Sequence, residues 1–407
     1  MDTTLGVLAA ALGGLAMGSV VWPTKLVRTF QFEHWWFLAM LTGLVVVPWT
    51  ITLAAFPQVI HVFRDVPAAV LITSNLFAVC WGVANVLFAL CTVRIGVALT
   101  MAILTGLGAS VAVTMPLIFK GTGLFKDAPG ITSPAGLTIL AGVGVMLLGV
   151  VLASMAGFGR DRQQKRLQQS TSGNFLVGLV MAVVAGVCSA GILLAFVYGQ
   201  GPIVARVSVV RPGDRVKITV ADRPELTGDH TLSSDGTFIL PDVGPFEIGG
   251  LTAQAAADKI AGFLGLPSGD AVRVETNNTL AIFAVWAVAL LGGAIVNLVY
   301  PAYLMTKNRS WGILASSRKE FALSVMIGVQ FCLAAFLGGK GMVLLGVLGA
   351  SVGAGIQQAM QMIGGQGLGF VSGEWRGVHG RPRWLMYLAI AALVIATIVM
   401  AYSHHSI

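Results

Sequence analysis

The sequence predicts an all-α membrane protein of ten transmembrane helices, arranged as two inverted five-helix repeats, with a small α+β soluble domain inserted after the sixth helix. Three observations lead there. Hydrophobic residues make up 56% of the 407 positions and charged residues only 10%, with a mean hydropathy of +0.85; an ordinary soluble domain carries about 25% charge. Apolar runs of about 20 residues, the length a helix needs to cross hydrocarbon, recur along the chain. A single stretch, 199–278, breaks that pattern with 17 charged residues in 80 positions, seven basic and ten acidic. A water-soluble globular or disordered chain is excluded, and membrane lipid is the expected surround.

The runs are Leu5–Thr24, Trp35–Phe56, Ala68–Val93, Gly96–Phe119, Ala135–Phe158, Asn174–Tyr198, Thr279–Thr306, Phe321–Leu337, Met342–Phe370 and Trp384–Tyr402. Pro23 is expected to stop the first helix, because it lacks an N–H and clashes with the preceding turn. The first run lacks a basic leader and is read as a retained helix. The chain therefore divides into 1–198 (helices one to six), 199–278 (insert) and 279–407 (helices seven to ten). Five helices per half, an odd number, turn the second half over relative to the first, as in inverted-repeat carriers.

Short cytoplasmic loops collect Lys and Arg. The loops after the odd-numbered helices hold 14 such residues: Lys25, Arg28, Arg94, Arg160, Arg162, Lys165, Arg166, Lys307, Arg309, Arg318, Lys319, Arg376, Arg381 and Arg383. The alternate short loops hold Arg64, Lys120, Lys126 and Lys340. Both termini and the insert are thus expected on the outer side. The net charge of +8 does not signal nucleic-acid binding, since the basic residues punctuate apolar segments without interleaved aromatics.

Within the insert, Val207, Val209, Val216, Ile218 and Val220 alternate around a Pro212-Gly213-Asp214 turn, as strands do. His230–Ser233 and Thr237–Leu240 flank Ser234-Asp235-Gly236, which reads as a hairpin. Thr252 caps a helix to Phe263 that stops at Gly265, and Ala271–Glu275 reads as a last strand. The sequence Arg211-Pro212-Gly213-Asp214, the stretch Asp235-Gly236 through Leu240-Pro241, and Gly250-Leu251-Thr252 resemble the periplasmic polysaccharide export domain of bacterial envelope proteins. That resemblance implies a periplasmic setting and allows an envelope polysaccharide or a protein partner at the insert.

Local motifs in the membrane part carry a second resemblance. Gly14–Lys25 (GLAMGSVVWPTK), Cys80–Leu90 (CWGVANVLFAL), Gly186–Gly191, Gly292–Leu298 (GGAIVNL) and Gly373–Gly377 (GEWRG) are similar to the L-rhamnose–proton symporter family of the drug/metabolite transporter superfamily. The resemblance implies a ten-helix bundle in the bacterial inner membrane, a small neutral sugar as substrate and protons as coupling ion. The insert departs from that family.

A sugar needs hydrogen-bond partners and an aromatic plate facing a cavity rather than lipid. Asn85 lies nine residues before Arg94, about 14 Å along a helix, with Trp81 one turn earlier on the same face. Ser189 is near the middle of the sixth run and Asn297 lies in the seventh. Gln357, Gln358 and Gln361 share a run, with Gln361 three and four residues from the other two. Trp81, Asn85, Ser189, Asn297, Gln357, Gln358 and Gln361 are the candidate substrate contacts; each amide could instead bridge helices. Lys25 and Glu374 are candidates for a gate or for coupling. Gly14, Gly18, Gly346, Gly349 and Gly353 are expected to let helices approach closely.

Every Asp and Glu falls in a loop, at a helix end or in the insert, so the residues do not independently support proton coupling. No catalytic triad, phosphate loop, cofactor motif or metal-ligand spacing is present, and the four cysteines lie in apolar runs. An enzyme and a cofactor are not expected. Two readings stand: a sugar carrier, or a membrane-anchored envelope adaptor or sensor whose insert docks polysaccharide or a partner.

Overall fold

A computed structural model describes residues 2–95, 97–119, 129–164, 175–221, 223–240, 244–267, 271–276 and 278–402. Lys120, Lys126, Lys165, Arg166, Pro241 and the expected span boundaries Gly96 and Asn174 lie outside the described residues. The chain is mostly helical. Among the described residues seven helices are long and apolar enough to cross a membrane, and a bent helix pair makes an eighth. It is a multi-pass membrane protein. The chain forms two compact units, 1–48 with 73–198 and 286–407, and 49–72 with 199–285.

In the first unit α1 (Asp2–Ser19) ends four residues before Pro23, the expected stop, and Pro23 lies instead at the start of a 3-10 turn, Trp22–Leu26. α1 packs on α13 (Arg318–Leu344) and α14 (Ala354–Val371). Its glycines make this possible: a methyl on Gly13 would lie 2.9 Å from the Ala334 carbonyl, and one on Gly14 2.8 Å from Met360 Cβ. A methyl on Gly18 would lie 2.7 Å from the Gly365 amide nitrogen. Gly346 differs from the close-packing expectation. Its φ of +56° is the left-handed conformation that glycine adopts without strain, and nothing crowds its missing side chain.

Several apolar runs are not the uninterrupted helices expected. The second run is α2 (Phe32–Met40), a π-helical segment Leu41–Val46 and α3 (Val47–Ala55). It starts three residues earlier than expected, because Gln31 and His34 form a reciprocal cap, and this brings Glu33 into its first turn. The third and fourth runs are α5 (Ala68–Ile95) and α6 (Val97–Ile118). The fifth is α7 (Pro134–Gln163), capped by the Ser133 hydroxyl. The sixth is divided at Ala190 into α8 (Phe175–Ser189) and α9 (Gly191–Val207). The seventh is α11 (Ala281–Ala289) and α12 (Leu291–Lys307), bent by 54° at Leu290. α13 extends to Leu344 and absorbs the start of the ninth run, whose remainder is a 3-10 turn, a π-helical segment Gly349–Gly353 and α14. α15 (Arg381–Tyr402) packs along α7.

In the second unit, α4 is Val59–Arg64. β1 (Arg215–Val220) is the centre of a three-stranded antiparallel sheet ordered β2-β1-β5, with β2 Gly228–Thr231 and β5 Val272–Thr276. Val216, Ile218 and Val220 turn inward with Val272, Val274 and Ile260 of α10 (Ala253–Phe263). The Thr252 hydroxyl accepts from the Ala255 N–H at 3.1 Å, and Gly265 at φ +66° ends the helix, both as expected. Two expectations are corrected. Val207 ends α9 instead of starting a strand, since the apolar periodicity of the sixth run continues through it. The Ser234-Asp235-Gly236 turn closes with Ser233 N–H to Thr237 O at 2.8 Å, but β3 (Thr237–Leu240) pairs with β4 (Gly244–Glu247), not with β2. Phe238 and Phe246, opposite each other in that register, bury together.

Candidate functional site

The polar centre of the first unit is Asn297 on α12, 1% exposed. Its Oδ1 accepts from Asn85 Nδ2 of α5 at 3.0 Å and from Trp36 Nε1 of α2 at 3.2 Å. Its Nδ2 donates to the Gly293 carbonyl one turn back at 2.9 Å, which fixes the amide's orientation. Three helices therefore meet at one carbonyl oxygen. Trp81, one turn before Asn85, is buried and stacks on Phe331 of α13, centroids 5.9 Å apart and planes at 24°. Gly293 allows this ring in: a methyl there would lie 3.0 Å from it. Phe32, Trp35 and Trp36 form an aromatic cluster beside the site, with Phe32 stacked on Trp36 at 5.4 Å. The structure thus brings Trp81, Asn85 and Asn297 together and adds Trp36, which the sequence reading missed. A Trp pair and a Phe opening the second run was the available signal.

Beside this cluster an apolar crevice is lined by Gly43, Leu44, Trp286, Leu290, Phe331 and Cys332. Trp286 is 3% exposed, and its indole N–H has no hydrogen-bond partner among the described residues.

The other candidates stand apart. The Ser189 hydroxyl, at the end of α8, donates to the Gly186 carbonyl at 2.7 Å and lies 3.2 Å from the Leu104 carbonyl of α6, so it joins two helices. Gln357 is buried against Gly338 of α13, and its Oε1 lacks a partner among the described residues. Gln358 and Gln361 are half-buried on the same helix, and the Gln361 backbone lies against Gly18. Among the described residues no side-chain hydrogen bond links these glutamines to Asn297. Gln330, missed from the sequence, accepts from Trp22 Nε1 at 3.0 Å and donates to the Ala16 carbonyl at 2.9 Å, tying α13 to the end of α1.

Lys25 and Glu374 meet as an ion pair, and the second Glu374 oxygen takes Arg160 Nη1 of α7 at 2.9 Å. Arg160 also lies 5.4 Å over the Trp375 ring, itself stacked on Phe370. This cluster joins the chain after α1, the end of α7 and the turn after α14. Nearby loops carry further buried polar groups. Glu320, opening α13, accepts from the backbone N–H groups of Arg28, Thr29 and Phe30, at 2.7 Å for Phe30. His34 accepts from the Gln31 N–H at Nδ1, 3.1 Å, which leaves Nε2 to donate to the Ser310 carbonyl at 3.1 Å.

The family model described as L-rhamnose-proton symport protein matches residues 2–207, half of the chain. The chain belongs to that family. Over 191 residues it is 28% identical to proteins named L-rhamnose-proton symporter from Yersinia pestis and Yersinia pseudotuberculosis, an overlap that covers 47% of this chain and 54% of theirs. The chain thus spans about half the length of the curated relatives it matches. The family model described as Polysaccharide biosynthesis/export protein matches residues 204–277, in agreement with the resemblance read from the turns of the insert. Within the L-rhamnose-proton symport family match lie Lys25, Trp36, Trp81, Asn85 and Ser189. Asn297, the glutamines and Glu374 lie beyond it, as do the GGAIVNL and GEWRG motifs.

Proposed function

We propose that the chain is a secondary transporter that moves a small neutral sugar, L-rhamnose or a close relative, across the bacterial inner membrane by alternating access, coupled to protons. The observation that carries this is the shared acceptor: Asn85 and Trp36 both donate to Asn297 Oδ1 in a buried site flanked by Trp81. Without a ligand these groups satisfy one another. A sugar hydroxyl, donor and acceptor at once, can replace the Asn85–Asn297 bond without leaving any group unpaired, and the aromatic faces suit the sugar's C–H face. An enzyme is not needed to explain any of these groups.

In this reading the ten apolar runs form two inverted five-helix halves, with the insert and both termini periplasmic. Lys25 and Arg160 of the first half close on Glu374 of the second as a cytoplasmic gate. The test is uptake of radiolabelled L-rhamnose and other monosaccharides into proteoliposomes. Asn85→Ala and Asn297→Ala should reduce uptake at least tenfold, the effect of losing about 1.4 kcal/mol or more of binding. A protein that moves no monosaccharide, with or without a pH gradient, refutes the proposal.

The match of residues 204–277 favours a second reading, an envelope adaptor or sensor whose insert docks a polysaccharide or a partner protein. Deletion of 199–278 separates the two. Uptake that survives supports the carrier; loss of a partner complex from a protein without transport supports the adaptor.

A further inference from the structure

Proton coupling requires a group that can gain and lose a proton within the moving part. Outside the insert the acidic residues are Asp2, Glu33, Asp65, Asp127, Asp161, Glu320 and Glu374. Neither the Asp2 nor the Asp127 side chain is among those described. Asp161 and Glu374 are ion-paired to Arg160, Glu320 is wrapped by backbone N–H groups, and Asp65 is exposed. The carboxyls of the first three thus face a guanidinium or backbone N–H donors. Glu33 differs. It is 5% exposed, and its side-chain partner among the described residues is a neutral amide, Asn308 Nδ2, donating to Oε1 at 3.1 Å.

On this basis, and resting on the proton-coupled sugar carrier proposed above, we infer that Glu33 is the site that takes up the coupling proton. An asparagine amide suits both states of such a site. Its Nδ2 donates to the carboxylate, and its Oδ1, after rotation of the amide, accepts from the carboxylic O–H. The proton passes from a hydronium ion on one side of the membrane to a Glu33 oxygen, and from there to a water on the other; only these O–H bonds are broken and formed.

The site is also placed to act on the sugar. α2 is joined to α12 by Trp36 to Asn297, and to Asn308, the residue that follows α12, by Glu33. Proton and sugar therefore bias the same helix pair, and whatever affinity one lends the other is returned equally. On the elements packed against α2, the charged groups near Asn308 are Lys307 and Arg309, and those opening α13 are Arg318, Lys319 and Glu320. None is ion-paired to Glu33. His34, next to it, has both ring nitrogens engaged.

The test uses the full chain in proteoliposomes with labelled L-rhamnose, comparing equilibrium exchange with uptake driven by an imposed gradient. One proton per sugar and a gradient of about one pH unit support about tenfold accumulation. Glu33→Gln should still exchange sugar while accumulation falls to the level of the medium. Glu33→Asp should restore accumulation with a displaced pH profile of exchange. Wild-type accumulation by Glu33→Gln overturns the assignment and leaves the carrier standing, as does wild-type uptake that ignores the gradient. Loss of both activities in Glu33→Gln, with an unchanged pH profile in Glu33→Asp, shows a structural role and also overturns it. A wild-type protein without exchange refutes the carrier reading and the assignment with it.

Discussion

The side chain of Asn75 bridges the break in the seventh apolar run: its Oδ1 accepts from the Gly292 N–H at 2.7 Å, and its Nδ2 donates to the Val288 carbonyl at 3.1 Å. A helix bent by 54° at Leu290 loses part of its own ladder, and inside a membrane the freed groups have no water to turn to. One amide from α5 satisfies a donor on one side of the break and an acceptor on the other.

Asn75→Ala should therefore destabilise the protein by about 1–3 kcal/mol, the cost of leaving buried backbone groups unpaired. Thermal unfolding of the purified chain in detergent measures this; an unchanged midpoint would mean that the break is satisfied in another way.

Asn297→Ala removes the oxygen that Asn85 and Trp36 share. Titration calorimetry with L-rhamnose should show binding weakened by about 1–3 kcal/mol, in the range measured for stranding a buried donor. An unaltered Kd would move the sugar site elsewhere, with the Gln357 helix the next place to look.

The Lys25–Glu374–Arg160 cluster is partly exposed, with Lys25 at 46% and Glu374 at 25%. Solvent screening limits its worth to about 0–1 kcal/mol, so Glu374→Gln should scarcely move the unfolding midpoint. If the cluster is a gate, the same change should speed labelling of Gln361→Cys by an impermeant reagent added from the cytoplasmic side. Equal labelling rates would reduce the cluster to an ornament of the helix ends.

In the insert, the Ser233 hydroxyl bonded to Asp235, followed by the Thr237 hydroxyl and N–H, holds the Asp235 carboxyl below the ordinary aspartate range. Because the folded value is the lower one, the interaction supports the turn above the unfolded pKa of about 4 and is lost as pH falls through the depressed value. Ser233→Ala should shift the Asp235 titration upward, as followed by NMR of its carboxyl carbon. A titration that does not move would show that the hydroxyl is not the main cause.

The insert was largely legible because its signals are local. Val216, Ile218 and Val220 alternate, Thr252 caps, and Gly265 stops, all within a few residues of the structure they specify. The pairing of Thr237–Leu240 with Gly244–Glu247 was not, since the turn at Asp235 points to the upstream segment His230–Ser233 and not to the strand that follows. In the membrane unit hydropathy finds apolar runs but is blind to breaks inside them. Ala190 and Leu290 are themselves apolar, and the π-helical turn at Leu41–Val46 carries no compositional mark, whereas the one at Gly349–Gly353 is marked by its glycines. Asn85 and Asn297 could each be picked out as polar groups in apolar runs. That they share a bond with Trp36 depends on helices more than 200 residues apart in the chain.

The glycine seams of α1 have a further consequence. Where Gly13, Gly14 and Gly18 meet α13 and α14, the helix lies directly on the backbone atoms of its neighbours. A seam that close has no slack: a side chain as small as a methyl at any of the three positions would wedge α1 outward, so the seating of the whole helix depends on what those residues lack.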